Sequence, residues 1–199
     1  MLEEAEKAGA SVTSILWKGE PGRFEGCSRQ FVAPEDLFDY ACPQKNSPGP
    51  VFTAIPSVKE GEIRSAVVLE NVQDPGNVGT VIRTANAFGI DAVYLVGECA
   101  SVRNPKTVRA SMGSIFFQRV IEGELPDLPI YAAVLAADSQ SIRSADLSGC
   151  AVAIGSEGHG LSEELIARCA GKVIIPMTER AESLNAAVAA SIFMWEMKK

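Results

Sequence analysis

The chain has 199 residues, of which 47% are hydrophobic and 22% are charged, and its formal net charge is −7. This composition is typical of a folded globular protein and excludes an intrinsically disordered chain. The negative net charge argues against a protein that binds polyanions through a uniformly basic surface. The five cysteines form no Cys-x-x-Cys pair and there is one histidine, so we expect no metal site and no histidine-dependent triad.

Residues 1–58 differ from the rest of the chain in their pattern of apolar and turn-forming residues. Short strands are predicted at 12–17 and 27–32, a short helix at 34–40, and three prolines follow within 42–50. We interpret this region as a small, incomplete α/β module that ends in a linker, followed by a larger domain at 59–199.

From Ile63 onwards, apolar runs alternate with helical patterns. This alternation predicts a mostly parallel sheet covered by helices on both faces, an α/β fold. Predicted strands lie at 63–70, 92–97, 116–121, 129–135, 150–155 and 172–177, and predicted helices at 77–88, 105–115, 162–170 and 183–197.

The first segment with a chemical signal follows the strand that begins at Ile63. A turn at 73–76 precedes Asn77, which we predict to be the N-cap of a helix that carries Arg83 and ends at Gly89. On these residues alone, an ordinary strand-loop-helix unit is an equally good interpretation.

A basic segment comes next along the chain. Between Cys99 and Ile121 there is no acidic residue, and four cations are present: Arg103, Lys106, Arg109 and Arg119. Such a segment is compatible with contact to an RNA backbone or with an ordinary solvated face, and the sequence leaves both open.

The second segment is a glycine-rich loop after the strand that ends at Gly155. Glu157 lies between glycines at the carboxyl end of a strand, where α/β sheets bind ligands. The pattern is not G-x-G-x-x-G and no phosphate-binding lysine follows, which argues against a dinucleotide site or a P-loop. A solvated loop acid is the alternative for Glu157.

The third segment joins a strand at 172–177 to the last predicted helix. We predict that Ser183 caps this helix and that Asn185 lies in its first turn, where polar groups are not used by the intrahelical ladder. The helix is alanine-rich and apolar nearly all round, which favours either a subunit interface or a buried helix within one protomer.

Together these segments resemble the three motifs of the SpoU/TrmH branch of the SPOUT RNA methyltransferases, over roughly residues 63–199. One departure is Thr178-Glu179-Arg180, where the family commonly has a glycine and small residues. The matching residues are Asn77, Gly79, Arg83, Ala85, Phe88 and Gly89 in the first motif, Gly155, Glu157, Gly158, Gly160 and Leu161 in the second, and Ile175, Pro176, Met177, Glu182, Ser183, Leu184 and Asn185 in the third.

The resemblance implies a C-terminal deep trefoil knot, a homodimer formed through the knot region, and S-adenosyl-L-methionine as cofactor. It implies methylation of a ribose 2′-hydroxyl in RNA, with rRNA favoured over tRNA, and an N-terminal ribosomal-protein-like RNA-binding domain that lacks its first strand and helix. The implied cofactor-binding residues are Leu135, Gly155, Ile175, Met177 and Leu184. The implied catalytic residues are Arg83, Asn77, Glu157, Ser183 and Asn185. Among these, Arg83 would bind the flanking phosphate and stabilise the developing alkoxide. Asn77, Ser183 and Asn185 would orient Arg83 and the ribose, and Glu157 would orient the arginine or nearby backbone groups.

The acidic N-terminal residues lack an apolar signal core, no apolar run is long enough to span a membrane, and the scattered cysteines suit reduced thiols, so we expect a cytoplasmic protein without a membrane partner. A non-catalytic RNA-binding or assembly factor that retains the fold is the alternative function, which cofactor titration would distinguish.

Overall fold

A computed structural model describes residues 1–42, 44–57, 60–178 and 183–199 of the chain. The chain divides into two compact units, Met1–Val58 and Lys59–Lys199. No helix in these described ranges is long and apolar enough to cross a membrane.

The first unit is a small sheet with helices. Strand β1 is central, β2 pairs with it in parallel and β3 pairs with it antiparallel. Helix α1 and strand β3 were not predicted from the sequence. The elements are α1 (Leu2–Lys7), β1 (Ser11–Lys18), β2 (Gln30–Ala33), α2 (Glu35–Ala41) and β3 (Val51–Ile55).

The second unit is built on a seven-stranded sheet in the order β6-β5-β4-β9-β7-β10-β8, and all of its ladders are parallel. The predicted α/β class with a mostly parallel sheet is therefore confirmed. The elements are β4 (Ala66–Glu70), α3 (Pro75–Phe88), β5 (Ala92–Val96), α4 (Pro105–Ala110), a 3-10 helix (Ser114–Phe116), β6 (Arg119–Glu122), β7 (Ile130–Ala133), β8 (Gln140–Ser141), β9 (Ala151–Ile154), α5 (Glu163–Arg168), β10 (Gly171–Ile174) and α6 (Ala186–Glu196).

Alternate residues along the central strands point to opposite faces of this sheet and form two separate cores. Val67 and Leu69 of β4 pack with buried residues of α3 and α6. Ala66 and Val68 of the same strand pack on the other face with Leu165 of α5. Helices therefore cover both faces, which explains why the central strands are apolar without alternation.

The predicted N-cap of α3 was wrong. The helix begins at Pro75, and its N-cap is Asp74, whose Oδ1 accepts hydrogen bonds from the backbone N–H groups of Gly76 (2.6 Å) and Asn77 (3.0 Å). Proline suits this first position because its missing N–H would have no helical partner there. Asn77 is thereby released from capping, and its side chain is available for another contact.

The predicted helix at 105–115 and strand at 116–121 also needed correction. Helix α4 ends at Ala110, because Met112 (φ 50°) and Gly113 (φ 87°) adopt left-handed backbone conformations that an α-helix cannot contain. A 3-10 turn follows, and β6 begins only at Arg119.

The start of α6 differs from the sequence-based expectation as well. Its N-cap is Asn185, whose Oδ1 accepts from the backbone N–H groups of Ala187 (3.0 Å) and Val188 (3.2 Å), so Ser183 does not cap it. Although α6 is apolar nearly all round, only one side is buried. We call the residues on its other side the α6 apolar stripe, which consists of Val188, Ile192 and Trp195.

Candidate active site

A cavity of about 280 Å³ lies at the carboxyl ends of the neighbouring strands β7, β9 and β10 and beside α6. Parallel sheets bind ligands at this end of their strands. Its lining includes every residue predicted to bind the cofactor: Leu135, Gly155, Ile175, Met177 and Leu184. Their role in binding stays a prediction.

The cavity walls are mostly aliphatic, with main-chain groups at the strand ends. Ala133, Ile154 and Val173 contribute small or branched side chains. Leu135 also lines the cavity although 70% of its surface is exposed, so a large apolar side chain stands at the opening. The volume is near the lower limit of about 300 Å³ for small-molecule sites. The cavity therefore suits a ligand whose apolar or flat parts contact the aliphatic walls and whose polar groups bond to main-chain groups.

The loop after β9 is folded tightly against itself. Ser156 and Gly160 form an isolated antiparallel bridge, and Gly160 has φ 68°, which glycine adopts without strain. A side chain at Gly155 would collide with the backbone of Gly160 and Leu161. The glycines of the second motif thus permit close contact between the two ends of the loop and hold Glu157 at its tip.

Glu70 anchors the far end of this loop. It is the last residue of β4 and is 7% exposed. Its two carboxylate oxygens accept hydrogen bonds from the backbone N–H and the hydroxyl of Ser162, both at 2.7 Å. Ser162 Oγ in turn accepts from Leu165 N–H at 3.1 Å and caps α5. One buried carboxylate therefore connects the central strand to both the loop and the following helix.

Three of the predicted catalytic residues form one hydrogen-bond network. Glu157 Oε1 accepts from Asn77 Nδ2, from Asn185 Nδ2 at 3.3 Å and from Ala186 N–H at 3.4 Å. Asn185 Nδ2 also donates to Asn77 Oδ1 at 3.1 Å. Glu157 Oε2 has no hydrogen-bond partner within the described ranges, and Glu157 is exposed. The network fixes one oxygen and leaves the other available.

The structure does not bring Arg83 and Ser183 into this network. Ser183 lines the cavity, but its side chain bonds to no described residue. Arg83 lies six residues after Asn77 on α3, which corresponds to about 9 Å along the helix axis and roughly 240° around it. The predicted orientation of Arg83 by Asn77 and Glu157 is therefore absent within the described part of one chain.

The described cysteines of the second unit are poorly suited to thiol chemistry. Burial raises the pKa of the Cys150 thiol to about 11, and it also raises the pKa of Cys99 and Cys169. A thiol with a raised pKa is a poor nucleophile at neutral pH. Within the described ranges, no group of three or more histidine, cysteine or acidic side chains could hold a metal ion.

The sequence-based reasoning missed Asp74 and Glu70. For Asp74, an Asp-Pro pair before a helical pattern was available as a capping signal. No signal in the sequence pairs Glu70 with Ser162, because the contact spans 92 residues. Two predicted features, the departure at Glu179 and Arg180 and the motif residue Glu182, lie outside the described residues.

Comparison with known proteins agrees with this geometry. The sequence profile of the SpoU rRNA Methylase family matches residues 64–195. The chain is 32% identical over 212 aligned positions to the 23S rRNA (guanosine(2553)-2′-O)-methyltransferase RlmP of Bacillus subtilis, which covers all of this chain and 85% of that protein. It is 33% identical over 146 positions to an uncharacterised tRNA/rRNA methyltransferase of Synechocystis, covering 68% of this chain and 53% of that protein.

Solved structures of the family match nearly the full length of the chain. The SpoU methyltransferase AviRb of Streptomyces viridochromogenes matches with a TM-score of 0.84 and 25% identity over 98% of this chain and 84% of that one. An S-adenosylmethionine-bound rRNA methyltransferase of Sinorhizobium meliloti matches with a TM-score of 0.82 and 27% identity over 98% and 83% of the two chains. On its sequence, its fold and the arrangement of its three motifs, the chain belongs to the SpoU rRNA methylase family.

Proposed function

We propose that this protein transfers a methyl group from S-adenosylmethionine to a ribose 2′-hydroxyl of RNA, with rRNA as the substrate class. The observation that carries the proposal is the convergence of the three family motifs on one cavity and the adjoining Asn77–Glu157–Asn185 network. RlmP, to which the chain is similar over its full length, is named for this reaction on 23S rRNA.

The cavity fits the cofactor in chemical character. Main-chain groups at 133–135, 154–156 and 173–175 supply hydrogen-bonding partners, and aliphatic side chains supply apolar walls. The exposed Leu135 side chain would cover a flat ring, since burial of apolar surface is favourable. The bound cofactor supplies an electrophilic methyl group, and the protein's task is to hold the ribose oxygen in line with it.

The polar residues around the cavity have separate roles in binding the RNA. Asn77 and Asn185 hold Glu157 in place, and its free Oε2 accepts a hydrogen bond from the ribose. Arg83 is exposed and has no ion pair with a described residue, so its guanidinium is available to bind a phosphate and stabilise negative charge on the attacking oxygen. Ser183, at the cavity edge, completes the orientation of the ribose. Such positioning contributes up to about 7–11 kcal/mol to methyl-transfer reactions between two bound molecules.

Replacing the arginine tests this assignment. Arg83→Ala should lower methyl transfer to RNA by about 10²-fold or more at saturating cofactor, as expected for loss of a charge-stabilising group. Cofactor affinity, measured by calorimetric titration, should be unchanged. Arg143→Ala is the matched control, because Arg143 is also exposed and lies elsewhere in the same unit. A folded Arg83→Ala protein with the wild-type rate would refute the assignment.

Replacing Leu135 tests the cofactor cavity. Leu135→Ala should weaken S-adenosylmethionine binding several-fold through loss of apolar contact. Leu37→Ala is the control, since Leu37 is 55% exposed in the first unit and lines no part of the cavity. If the wild-type protein binds no S-adenosylmethionine, the non-catalytic RNA-binding alternative is correct and the proposed reaction is not.

We further propose that the C-terminal segment is knotted and that the protein is a homodimer. Strand β10 lies between β7 and β8, which precede it in the chain, and α6 then packs against α3. This order is compatible with a trefoil knot.

The α6 apolar stripe supports a dimer, because its large side chains are exposed. Trp195 is 59% exposed, and its ring packs edge-on against Phe88 of α3 with 5.6 Å between the ring centroids. A second copy on this stripe would offer its own Arg83 to the site.

The dimer has its own test. Ile192→Glu places a charge in the α6 apolar stripe and should convert the dimer to a monomer in analytical ultracentrifugation. Ile55→Glu is the control, since Ile55 is exposed on β3 of the first unit. A monomeric wild-type protein would contradict the dimer. RNA binding by residues 1–58 stays a prediction, as does a cytoplasmic location.

A further inference from the structure

Four exposed cations lie on α3 (Arg83), just before α4 (Arg103) and on α4 (Lys106 and Arg109), and we call them the α3–α4 basic surface. All four side chains are exposed. Among the described residues, none of them takes part in an ion pair, whereas five other cations of the chain do. The chain has a net charge of −7, so a group of cations without ion-pair partners is unusual in it. Such cations are either solvated or bind a partner outside the chain.

The packing of α3 against α4 brings Arg83 to this surface. Gly79 faces α4 closely: a Cβ added at this residue would lie 2.6 Å from Ala110 Cβ and 3.0 Å from Ser111 N. Arg83 follows Gly79 by four residues and therefore emerges from the same side of α3. One turn further on, Asn86 Nδ2 contacts Ser114 Oγ at 3.5 Å. Arg83 therefore lies beside the segment that joins α4 to the 3-10 helix.

The cations of α4 lie on its outer side. Thr107 and Ser111 are fully buried, so they mark the face of α4 that packs inward. Lys106 and Arg109 are exposed and three residues apart, which puts them together on another face. The nearby acid on α3, Asp74, already accepts two backbone hydrogen bonds as the N-cap. The four cations outnumber this one acid, so the surface carries a net positive formal charge.

We propose that the α3–α4 basic surface binds the sugar-phosphate backbone of the substrate RNA next to the methylated nucleotide. This inference rests on the proposed function and extends it to residues outside the three motifs. Charge complementarity favours RNA, since each phosphate carries a negative charge and lysine and arginine are the side chains that bind it. Arg83 belongs to this surface and is also a proposed site residue, so RNA held here would enter the site with its backbone already fixed.

The salt dependence of RNA binding tests the inference. The probe is a hairpin fragment of Bacillus subtilis 23S rRNA centred on guanosine 2553, the nucleotide for which RlmP is named. Two lost phosphate contacts should reduce the slope of log K against log[salt] by about 1.4–1.8. We expect K106Q/R109Q to show this change and to bind the hairpin roughly ten-fold or more weakly at low salt. S-adenosylmethionine affinity should stay at the wild-type value.

The matched control is R143Q/R168Q, which removes the same charge from exposed positions of the second unit outside this surface. The control should retain the wild-type slope. An unchanged slope in K106Q/R109Q, or an equal reduction in both variants, would overturn the inference. Binding of the wild type to phosphatidylserine vesicles through Lys106 and Arg109, with RNA binding unaffected, would also overturn it. Hairpin binding through these residues without any methyl transfer would instead refute the proposed function.

Discussion

Two glutamates stand at the carboxyl ends of neighbouring strands and have opposite surroundings. Glu70, at the end of β4, is buried and gives both oxygens to Ser162. Glu157, in the loop after β9, is exposed; one of its oxygens accepts three hydrogen bonds and the other has no described partner. Both carboxylates hold the same glycine-rich loop, one at its far end and one at its tip.

This difference separates structural support from substrate contact. A buried carboxylate must satisfy its hydrogen-bonding capacity within the protein, because an unpaired buried charge is costly. Glu70 meets that requirement and has nothing left to offer a substrate. Glu157 is anchored strongly enough to be positioned and still retains an acceptor. The same substitution at the two sites should therefore affect different properties.

The largest effect is expected from Glu157→Gln, on catalysis. Glutamine keeps an oxygen that can accept from Asn77, Asn185 and Ala186, but it replaces the free acceptor by an NH₂ donor. Methyl transfer to RNA should fall by about 10²-fold. The melting temperature should be within about 1 °C of the wild type, since a surface substitution that preserves its contacts changes stability little. Activity measured with folded protein at saturating cofactor gives the result.

The next largest effect is expected from Glu70→Gln, on stability. The amide cannot accept from both the N–H and the hydroxyl of Ser162 with its two terminal atoms, and the bonds lose their charge. The free energy of unfolding should fall by about 2 kcal/mol, which lowers the melting temperature by roughly 4–8 °C. If Glu70→Gln instead left stability intact and reduced activity as strongly as Glu157→Gln, the distinction between the two glutamates would be wrong.

The sequence predicted this contrast only in part. The glycines and Glu157 could be recognised because their loop lies within one continuous motif. The identity of the helix caps could not, since Asn77 and Asp74 are both good N-cap residues and Asn185 competes with Ser183. The pairing of Glu70 with Ser162 depends on tertiary structure, as does the separation of Arg83 from Asn77 by the turns of α3.

For the second unit, the sequence predicted which strands and helices exist better than it predicted the residues at which they begin and end. Their long apolar runs and helical periods are strong local signals. Strand β8 was missed because Gln140–Ser141 is too short to show a pattern. The break after α4 was missed because Met112 adopts a left-handed conformation that its residue type does not favour. Local propensity does not contain these tertiary effects.

A smaller effect is expected at Asn185, which joins Glu157 to α6. Asn185→Ala removes both the cap and the amide donor, and should cost about 1 kcal/mol of stability together with a modest loss of activity. Asn185→Ser retains a capping oxygen and loses only the amide. Stability close to wild type with reduced activity in Asn185→Ser would assign the amide to the site. Wild-type activity in Asn185→Ser, with losses only in Asn185→Ala, would reduce Asn185 to a capping residue.

The smallest effect is expected at Thr107, whose buried hydroxyl oxygen has no hydrogen-bond partner in the part of the chain that the structure describes. In this respect it is the opposite of the fully bonded Glu70. Thr107→Val keeps the shape and removes the unpaired oxygen, so it should raise the free energy of unfolding by less than about 1 kcal/mol. Thermal unfolding would measure the change, and a clear loss of stability would reveal a hidden partner for the hydroxyl.

Asn185 both caps α6 and donates a hydrogen bond to Glu157, and this links the position of Glu157 to opening of the helix end. Two of the three donors to Glu157, the Asn185 amide and the Ala186 N–H, belong to the first turn of α6. Fraying of that single turn would therefore leave Glu157 bonded to Asn77 alone, without any change in the sheet. The fraction of molecules ready for reaction is tied to the opening equilibrium of one helix end, which hydrogen exchange at Ala187 and Val188 would report directly.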